Sequence, residues 1–451
     1  MIYSLSMQNV GPAPQMELEF GERLNLITGD NGLGKSFLLD SIWWALTRKW
    51  PQQLNPKLNS GYMAKPTDPK REAKIGFRVG AKSKSVKYES VFVPRDQAWT
   101  GKSGRPLNPG LVIYAQADGG FSVWDPARNY WRKSGQVDIQ DRLPGFVFTA
   151  GEVWNELKVE EGGREIRVCN GLLADLALWI ASDSPEAKNM NAVLQRLSPG
   201  STKEDLISIT KTAVMSPIED SRMIPYVQFG PGKPIPVLYA SSGIKRITQL
   251  AYMLVWTWLK HKEAAKELGE KRTNRVVFLI DEIECHLHPR WQRTILRSLL
   301  EMIQRIHKDA EIQLIAATHS PLVLASAEPL FDSNKDAWFD LDLDSQSGRI
   351  KLQKRTFVRL GGVANWLTSE AFDLATERSL EAEQAIHAAR ACFVKADVKP
   401  AEVVSVDQQL MNTLGSEDRF WREWERFLEA KGIKSPHKSE GVAEATRRGQ
   451  Q

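Results

Sequence analysis

The spacing of apolar and polar positions changes several times along this chain, and each change marks a new element. "RLNLITGDNGLGKSFLLDSIWWAL" runs from an apolar strand, Leu24 to Thr28, through a glycine-rich turn into an amphipathic helix carrying Phe37, Leu38, Ile42 and Leu46. Before it, "MIYSLSMQNVGPAPQMELEF" reads as two short strands around a Gly-Pro turn. From Lys74 to Phe148 short alternating segments such as "AKIGFRVG", "SVKYESVFV", "GLVIYAQ" and "GFSVWD" are separated by Gly, Pro, Asp and Asn, which predicts a mostly antiparallel β-region. Helical spacing returns at "GEVWNEL" and "CNGLLADLALWIA" and continues through "KEDLISITKTAV", predicting a helical subdomain over about residues 152–228.

After the Pro-rich connector "GPGKPIPV", a long apolar helix, "ITQLAYMLVWTWLKHKEAAKEL", leads to the buried strand "RVVFLIDE", a further helix and a second buried strand, "IQLIAATH". Two nearly continuous apolar strands flanked by helices predict a parallel sheet covered on both faces. "DAWFDLDLDSQSGRIKLQKRTF" predicts a hairpin at the edge of that core. From about residue 368 the pattern predicts helices ending in a polar, frayed tail. The expected fold class is therefore α/β, with residues 1–365 as the main domain and 366–451 as a C-terminal helical region. The chain carries no internal repeat.

Composition narrows the class only slightly. With 451 residues, 42% hydrophobic and 25% charged, the chain has the make-up of a soluble globular protein. No apolar run approaches the roughly 20 residues that a membrane span needs, and the N-terminus lacks the pattern of a secretory leader. Cys169, Cys285 and Cys392 are odd in number and far apart, which suggests neither a disulfide framework nor a zinc knuckle and points to a reducing cytoplasm. A net charge of +5, from 60 basic and 55 acidic residues, leaves nucleic-acid contact open without arguing for it.

The chemistry concentrates at the ends of the apolar strands. "GDNGLGKS" matches G-x-x-x-x-G-K-[ST] between a strand and a helix. Gly29, Asp30, Asn31, Gly32 and Gly34 form the candidate phosphate cradle, where the curled backbone turns its N–H groups and the helix N-terminus toward phosphates. Lys35 adds a positive charge and Ser36 an oxygen for Mg²⁺, so ATP and Mg²⁺ are the expected cofactors. "VVFLIDEIE" ends a buried strand in two carboxylates, Asp281 as the second Mg²⁺ group and Glu282 as the group that polarises the attacking water. "AATHSP" brings His319 to the end of the next strand, on the same rim. "YASSGIKR", Tyr239 to Arg246, contains no acid, histidine or cysteine; it can meet an anion only through serine hydroxyls, backbone N–H groups and the two following cations.

Together these motifs resemble the ABC-type ATPase head, in its soluble RecF-, SMC- and OLD-like branch, over residues 1–365. Ala240, Ser241, Ser242 and Gly243 look like the signature of that family in a Ser-Ser-Gly form, His286 to Pro289 like its D-loop region, and His319 like its switch histidine. Gln116 is the preferred Q-loop residue, with Gln97 as the alternative. The resemblance implies that the signature of one head closes over the γ-phosphate held by the Walker A loop of a second, so the chain is expected to act as an ATP-dependent homodimer or higher oligomer. It further implies an ATP hydrolase that controls a protein effector, a separately encoded nuclease or toxin, in antiphage defence. A RecF-like DNA-clamping ATPase remains the alternative, and a transporter subunit is disfavoured by the long β-region. No coiled-coil heptads separate Trp154 from Ser241, which argues against long SMC arms.

Other features invite blander readings. Cys285, His286 and His288 lie close together but lack a second ligand pair at zinc spacing. Asp340, Asp342 and Asp344 alternate with apolar residues, predicting a half-buried strand with a solvated acidic face rather than a nuclease metal site. The stretch after residue 365 reads as too short and too helical for a nuclease domain. Most of the 15 tryptophans fall in apolar periodic segments, where packing is the expected use. Among the terminal helices, "SLEAEQAIHAARACFV" is expected to dock within the molecule and "DRFWREWERFLEAKG" to offer a partner surface.

Overall fold

The computed structural model describes residues 1–433, apart from 82–83, 102–106, 130–141, 162, 217, 219, 307–309, 345–347 and 396. The tail expected to fray lies outside the described residues. The chain divides into two compact units, Met1–Trp366 and Leu367–Gln451.

An eight-stranded sheet forms the centre of the first unit, in the order Arg349–Arg355, Ala337–Asp344, Leu24–Gly29, Glu311–Ala317, Arg275–Ile280, Leu111–Ala115, Phe121–Trp124, Phe146–Phe148. Four consecutive pairings, from Ala337–Asp344 across to Leu111–Ala115, are parallel. Antiparallel strands close both sides: the hairpin partner Arg349–Arg355 at one edge, Phe121–Trp124 and Phe146–Phe148 at the other. The parallel strands are buried almost end to end, as sheets covered on both faces require.

A second, five-stranded antiparallel sheet, ordered Gln15–Glu19, Ile2–Gln8, Lys74–Ala81, Lys84–Val93, Ala98–Trp99, faces the first across the helix Lys35–Thr47. That helix is buried nearly all round rather than on one face, because both sheets pack on it. Leu39, Ile42 and Trp43 share one core with Leu5, Met7 and Phe77 of the antiparallel sheet and with Ile27, Val277 and Ile315 of the parallel one. The predicted β-region thus belongs to two sheets. "LVIYA" is a fully buried strand that pairs antiparallel with Phe121–Trp124, as expected, and also joins the parallel core through Arg275–Ile280 on its other side.

The predicted helical subdomain needs a second correction. Helices Leu172–Ala181 and Pro185–Arg196 are present, but "ISITKTAVMS" is the strand Ile207–Ser216, paired with Asp220–Phe229. Its β-branched residues alternate in a two-residue period that overrides the weaker helical one. A further hairpin pairs Leu157–Glu161 with Arg164–Cys169. The long apolar helix spans Ser242–Glu267.

In the second unit, helices Leu380–Val394, Pro400–Thr413 and Phe420–Lys431 bury a common core of Ala385, Ala389, Leu410, Trp424 and Leu428. Trp421 and Trp424 are 5% and 0% exposed, so the apolar stripe expected to meet a partner is used inside this unit. Trp43, Trp50, Trp256 and Trp366 are likewise fully buried, in keeping with a packing role.

Candidate nucleotide site

Four neighbouring parallel strands deliver the candidate residues to one rim of the sheet. Gly29 ends the first, Thr318 and His319 follow the second, Asp281 and Glu282 the third, and Gln116 the fourth. Backbone bonds carry the ladder past the strand ends, from Thr318 N–H to the Ile27 carbonyl at 3.0 Å and from Asp281 N–H to the Ala115 carbonyl at 2.9 Å. The rim therefore stays rigid where the chemistry sits.

The Gly29–Gly34 turn has positive φ at Gly29, Gly32 and Gly34. A Cβ at Gly29 would stand 2.3 Å from the Leu341 carbonyl oxygen, so glycine is required there by the neighbouring strand. Asp30 and Asn31 are exposed at the tip of the turn. Lys35 is 5% exposed, and its ammonium donates to the carbonyls of Gly29 at 2.7 Å and Asp30 at 2.8 Å. Burial lowers its pKa, while Asp281 and Glu282 oppose that shift.

Asp281 is 4% exposed. Burial raises its pKa, a hydrogen bond from Ser36 works against the rise, and its Oδ1 has no hydrogen-bond partner. Glu282 adopts φ 45°, a left-handed conformation uncommon for a residue with a side chain and typical of functional turns. The His319 ring bonds the Gly29 carbonyl; burial first, then Lys35, lower its pKa. Gln116 is 3% exposed, and neither end of its side-chain amide is paired. Gln97, the alternative, lies in an exposed turn of the five-stranded sheet and donates its amide to the Pro94 carbonyl.

Ser241 and Ser242 are exposed at the start of the helix Ser242–Glu267. The Ser241 hydroxyl accepts from Ile244 N–H at 3.4 Å as a helix cap. Gly243 packs against the His286 carbonyl, and His288 caps the short helix Pro289–Gln292. Among the described residues, no group of three or more His, Cys, Asp or Glu side chains could hold a metal. The Cys285, His286 and His288 cluster therefore remains a loop feature. Asp340 departs from expectation: it is 2% exposed, not solvated, and takes a hydrogen bond from Thr28 at 2.6 Å and an ion pair from Arg355 at 3.4 Å.

Two residues of the site escaped the sequence reading. Glu284, two positions past Glu282, accepts from the Thr318 hydroxyl at 2.7 Å and from the His319 backbone N–H. Asp40, one helical turn after Ser36, is 8% exposed and hydrogen-bonds Tyr114; burial pushes its pKa up to about 7. The signal for both was present, an acid at helical or loop spacing from a motif residue, but it carries weight only once burial is known.

The donor set fits a Mg-nucleotide. One Asp281 carboxylate oxygen and the whole Gln116 amide are buried without partners on the rim that also carries Lys35, whose hydrogen bonds go to backbone carbonyls. Mg²⁺ bound through one or two protein oxygens, with phosphates and water completing its shell, requires no all-protein cage. Ser36 and Asp281 would hold it, and Gln116 would face it or the water beside it.

A glycine-rich turn between a strand and a helix on a parallel sheet, an Asp-Glu pair and a histidine on the same rim, and a long serine-capped helix suit an ABC-type ATPase head of the RecF/SMC/OLD-like branch. The chain belongs to the family described as AAA domain, putative AbiEii toxin, Type IV TA system, which matches residues 24–325. It is 22% identical over 352 residues to the Septu protein PtuA of Bacillus thuringiensis, covering 72% of this chain and 74% of that protein. It is 48% identical over 50 residues to the retron Vc95 probable ATPase of Vibrio cholerae serotype O1 biovar El Tor, 11% of this chain and only 9% of that protein. A similar segment, 47% identical over 49 residues, occurs in the DNA repair protein RecN of Rickettsia conorii, 11% of this chain and 9% of that protein. Among solved structures it is similar to the SMC head domain from Thermotoga maritima, with TM-score 0.36 and 13% identity over 79% of this chain and 99% of that one. No helix among the described residues is long and apolar enough to cross a membrane.

Proposed function

We propose that this chain hydrolyses ATP at the interface of a head-to-head homodimer and uses that cycle to control a protein effector in antiphage defence. Each head supplies Lys35, Ser36, Asp281, Gln116, Glu282 and His319 to its own nucleotide and Ser241, Ser242 and Gly243 to its partner's. The observation that carries this reading is the separation of the two phosphate-binding halves. Lys35 and Asp281 are buried on the sheet rim, whereas Ser241 and Ser242 stand exposed, and among the described residues no hydrogen bond joins them to the P-loop.

The chemistry follows from the groups present. The backbone N–H groups after Gly29 and the N-terminus of the Lys35–Thr47 helix bind the phosphates, and Lys35 neutralises charge on them. Mg²⁺ supplies further charge neutralisation on the phosphate oxygens. Glu282 orients the attacking water, and His319, whose pKa burial and Lys35 lower, is positioned by Gly29 to hydrogen-bond near the γ-phosphate. A partner's serine hydroxyls and helix N-terminus complete the cage, so ATP becomes part of the interface and its loss loosens it. The Septu and retron relatives support the defence role, and a separately encoded nuclease or toxin is the effector class proposed.

The test is Glu282→Gln used as bait. With ATP and Mg²⁺ it is expected to bind nucleotide, to double its mass by light scattering and to co-purify one stoichiometric neighbour-encoded protein. Equal mass with and without ATP would refute the dimer. ATP-dependent, salt-sensitive DNA binding by the chain alone would favour the RecF-like alternative instead.

A further inference from the structure

The helices Pro185–Arg196 and Ser242–Glu267 enclose a cavity of about 290 Å³ lined by none of the nucleotide-site residues. Packed helices normally interlock without gaps larger than a water, so a space of this size between two of them calls for an account. Glu186, Asn189, Val193 and Arg196, spaced by three and four residues, turn one stripe of the first helix toward it. Val255, Trp258 and Lys262 do the same from the second. The floor is apolar, with Val193, Val255 and Met302 all buried.

Both walls are fixed from outside the cavity. Asn191, two residues past Asn189 and so on another face, donates to the Ile209 carbonyl at 3.1 Å and accepts from the Ile209 N–H at 2.7 Å, which ties the first helix to the strand Ile207–Ser216. On the second helix the Trp258 ring lies 5.8 Å from the His261 ring, and His261 is held by the Asp125 carboxylate at 2.7 Å and the Thr273 N–H at 3.0 Å. The cavity is therefore preformed. Its mouth carries two exposed cations, Arg196 and Lys262, against one acid, Glu186. Among the described residues the ion pairs on these helices join Lys188 to Asp183 and Lys260 to Glu263, and leave Arg196 and Lys262 unpaired. Glu186 stands ten residues before Arg196, roughly 15 Å along the same helix, too far to neutralise it.

We propose that this cavity binds a small apolar carboxylate, an aryl or short acyl chain whose body lies on Val193, Val255 and Trp258 and whose head meets Arg196. The forked N–H groups of a guanidinium match the two oxygens of a carboxylate, and Lys262 adds positive potential at the mouth. The volume lies at the small end of the range usual for ligand pockets, about 300–1,000 Å³, which suits a small molecule rather than a stretch of polypeptide. Because its lining is separate from the rim of Lys35, Asp281 and His319, the ligand binds a single chain with or without ATP. A bound ligand bridges the two helices, so the occupied chain is the more heat-stable one.

Phenylbutyrate and its neutral counterpart phenylbutanol test this on the full chain, by titration calorimetry and by melting temperature. The native chain is expected to bind one phenylbutyrate, at least about tenfold tighter than phenylbutanol, and to melt at a higher temperature in its presence. Arg196→Gln is expected to remove the preference for the acid while phenylbutanol still binds, and Arg196→Lys, which keeps the charge, to retain part of it. Asn189→Trp sets a ring in the mouth from an exposed position and is expected to weaken both ligands at least about tenfold, with ATP affinity within about twofold of native. Absence of saturable phenylbutyrate binding, equal affinity of the native chain for the acid and the alcohol, an unchanged preference in Arg196→Gln, or native binding by Asn189→Trp overturns the inference.

Discussion

The Thr318 hydroxyl donates to the Glu284 carboxylate at 2.7 Å, and the same carboxylate accepts from the His319 backbone N–H. One half-buried acid thus joins the loop carrying Glu282 to the strand end carrying His319. Burial raises the Glu284 pKa, and these two hydrogen bonds oppose the rise. Charge-assisted hydrogen bonds of this kind are worth roughly 1.5–3 kcal/mol. Glu284→Ala is therefore expected to lower kcat roughly 10- to 100-fold with little change in ATP affinity. Steady-state kinetics beside equilibrium ATP binding check this. Parallel losses in both would mean that Glu284 only supports the fold.

Lys35 gives the sharpest binding prediction. Its ammonium is held by two carbonyls at the mouth of the P-loop, poised to exchange them for phosphate oxygens. Removing it deletes two or more charge-assisted hydrogen bonds, so Lys35→Ala is expected to weaken ATP binding at least about a hundredfold. Titration calorimetry reads this directly; near-normal affinity would place the nucleotide elsewhere.

Asp40 makes stability depend on pH. Its ordinary pKa of 3.8 is raised to about 7 in the folded protein, with burial as the main cause. Between those values the folded state holds a proton that the unfolded chain releases, so stability contributed by this group is present at low pH and falls as pH rises toward 7. Asp40→Asn keeps an acceptor for Tyr114 and removes the titration. Its melting temperature is expected to exceed the native one at about pH 8, with the difference shrinking at about pH 5. A pH-independent difference would mean that Asp40 is ionised throughout.

The parts of this molecule legible in the sequence are those whose chemistry is contiguous. Gly29 to Ser36 sit in one strand-turn-helix, and Asp281, Glu282 and His319 each follow an apolar run that ends abruptly, so residue order alone places them at strand ends. Tertiary partners decide the rest. A fully buried run such as Leu111–Ala115 shows its pairing with the next strand, Phe121–Trp124, but not that its other neighbour is Arg275–Ile280, far along the chain. "ISITKTAV" carries both periods, and pairing with Asp220–Phe229 selects the strand. Alternation put Asp340 on a solvated face and could not reveal the Thr28 and Arg355 groups that make its burial tolerable. Arg246 reads as a surface cation on an apolar helix, and only its bond to the Gln116 carbonyl shows otherwise.

Mixing two inactive variants tests the central claim most directly. Lys35→Ala lacks the phosphate-binding half, and Ser242→Glu places a negative charge where the partner's γ-phosphate should dock. Because Ser242 is exposed and an acid is favourable at a helix N-terminus, the second variant is expected to fold normally. Each protein alone should show no ATP turnover. An equimolar mixture should recover it, since a mixed dimer pairs an intact Lys35 loop with an intact signature from the other chain. Turnover in the mixture no greater than the sum of the separate proteins, with mixed dimers present, would contradict a nucleotide site completed by two chains.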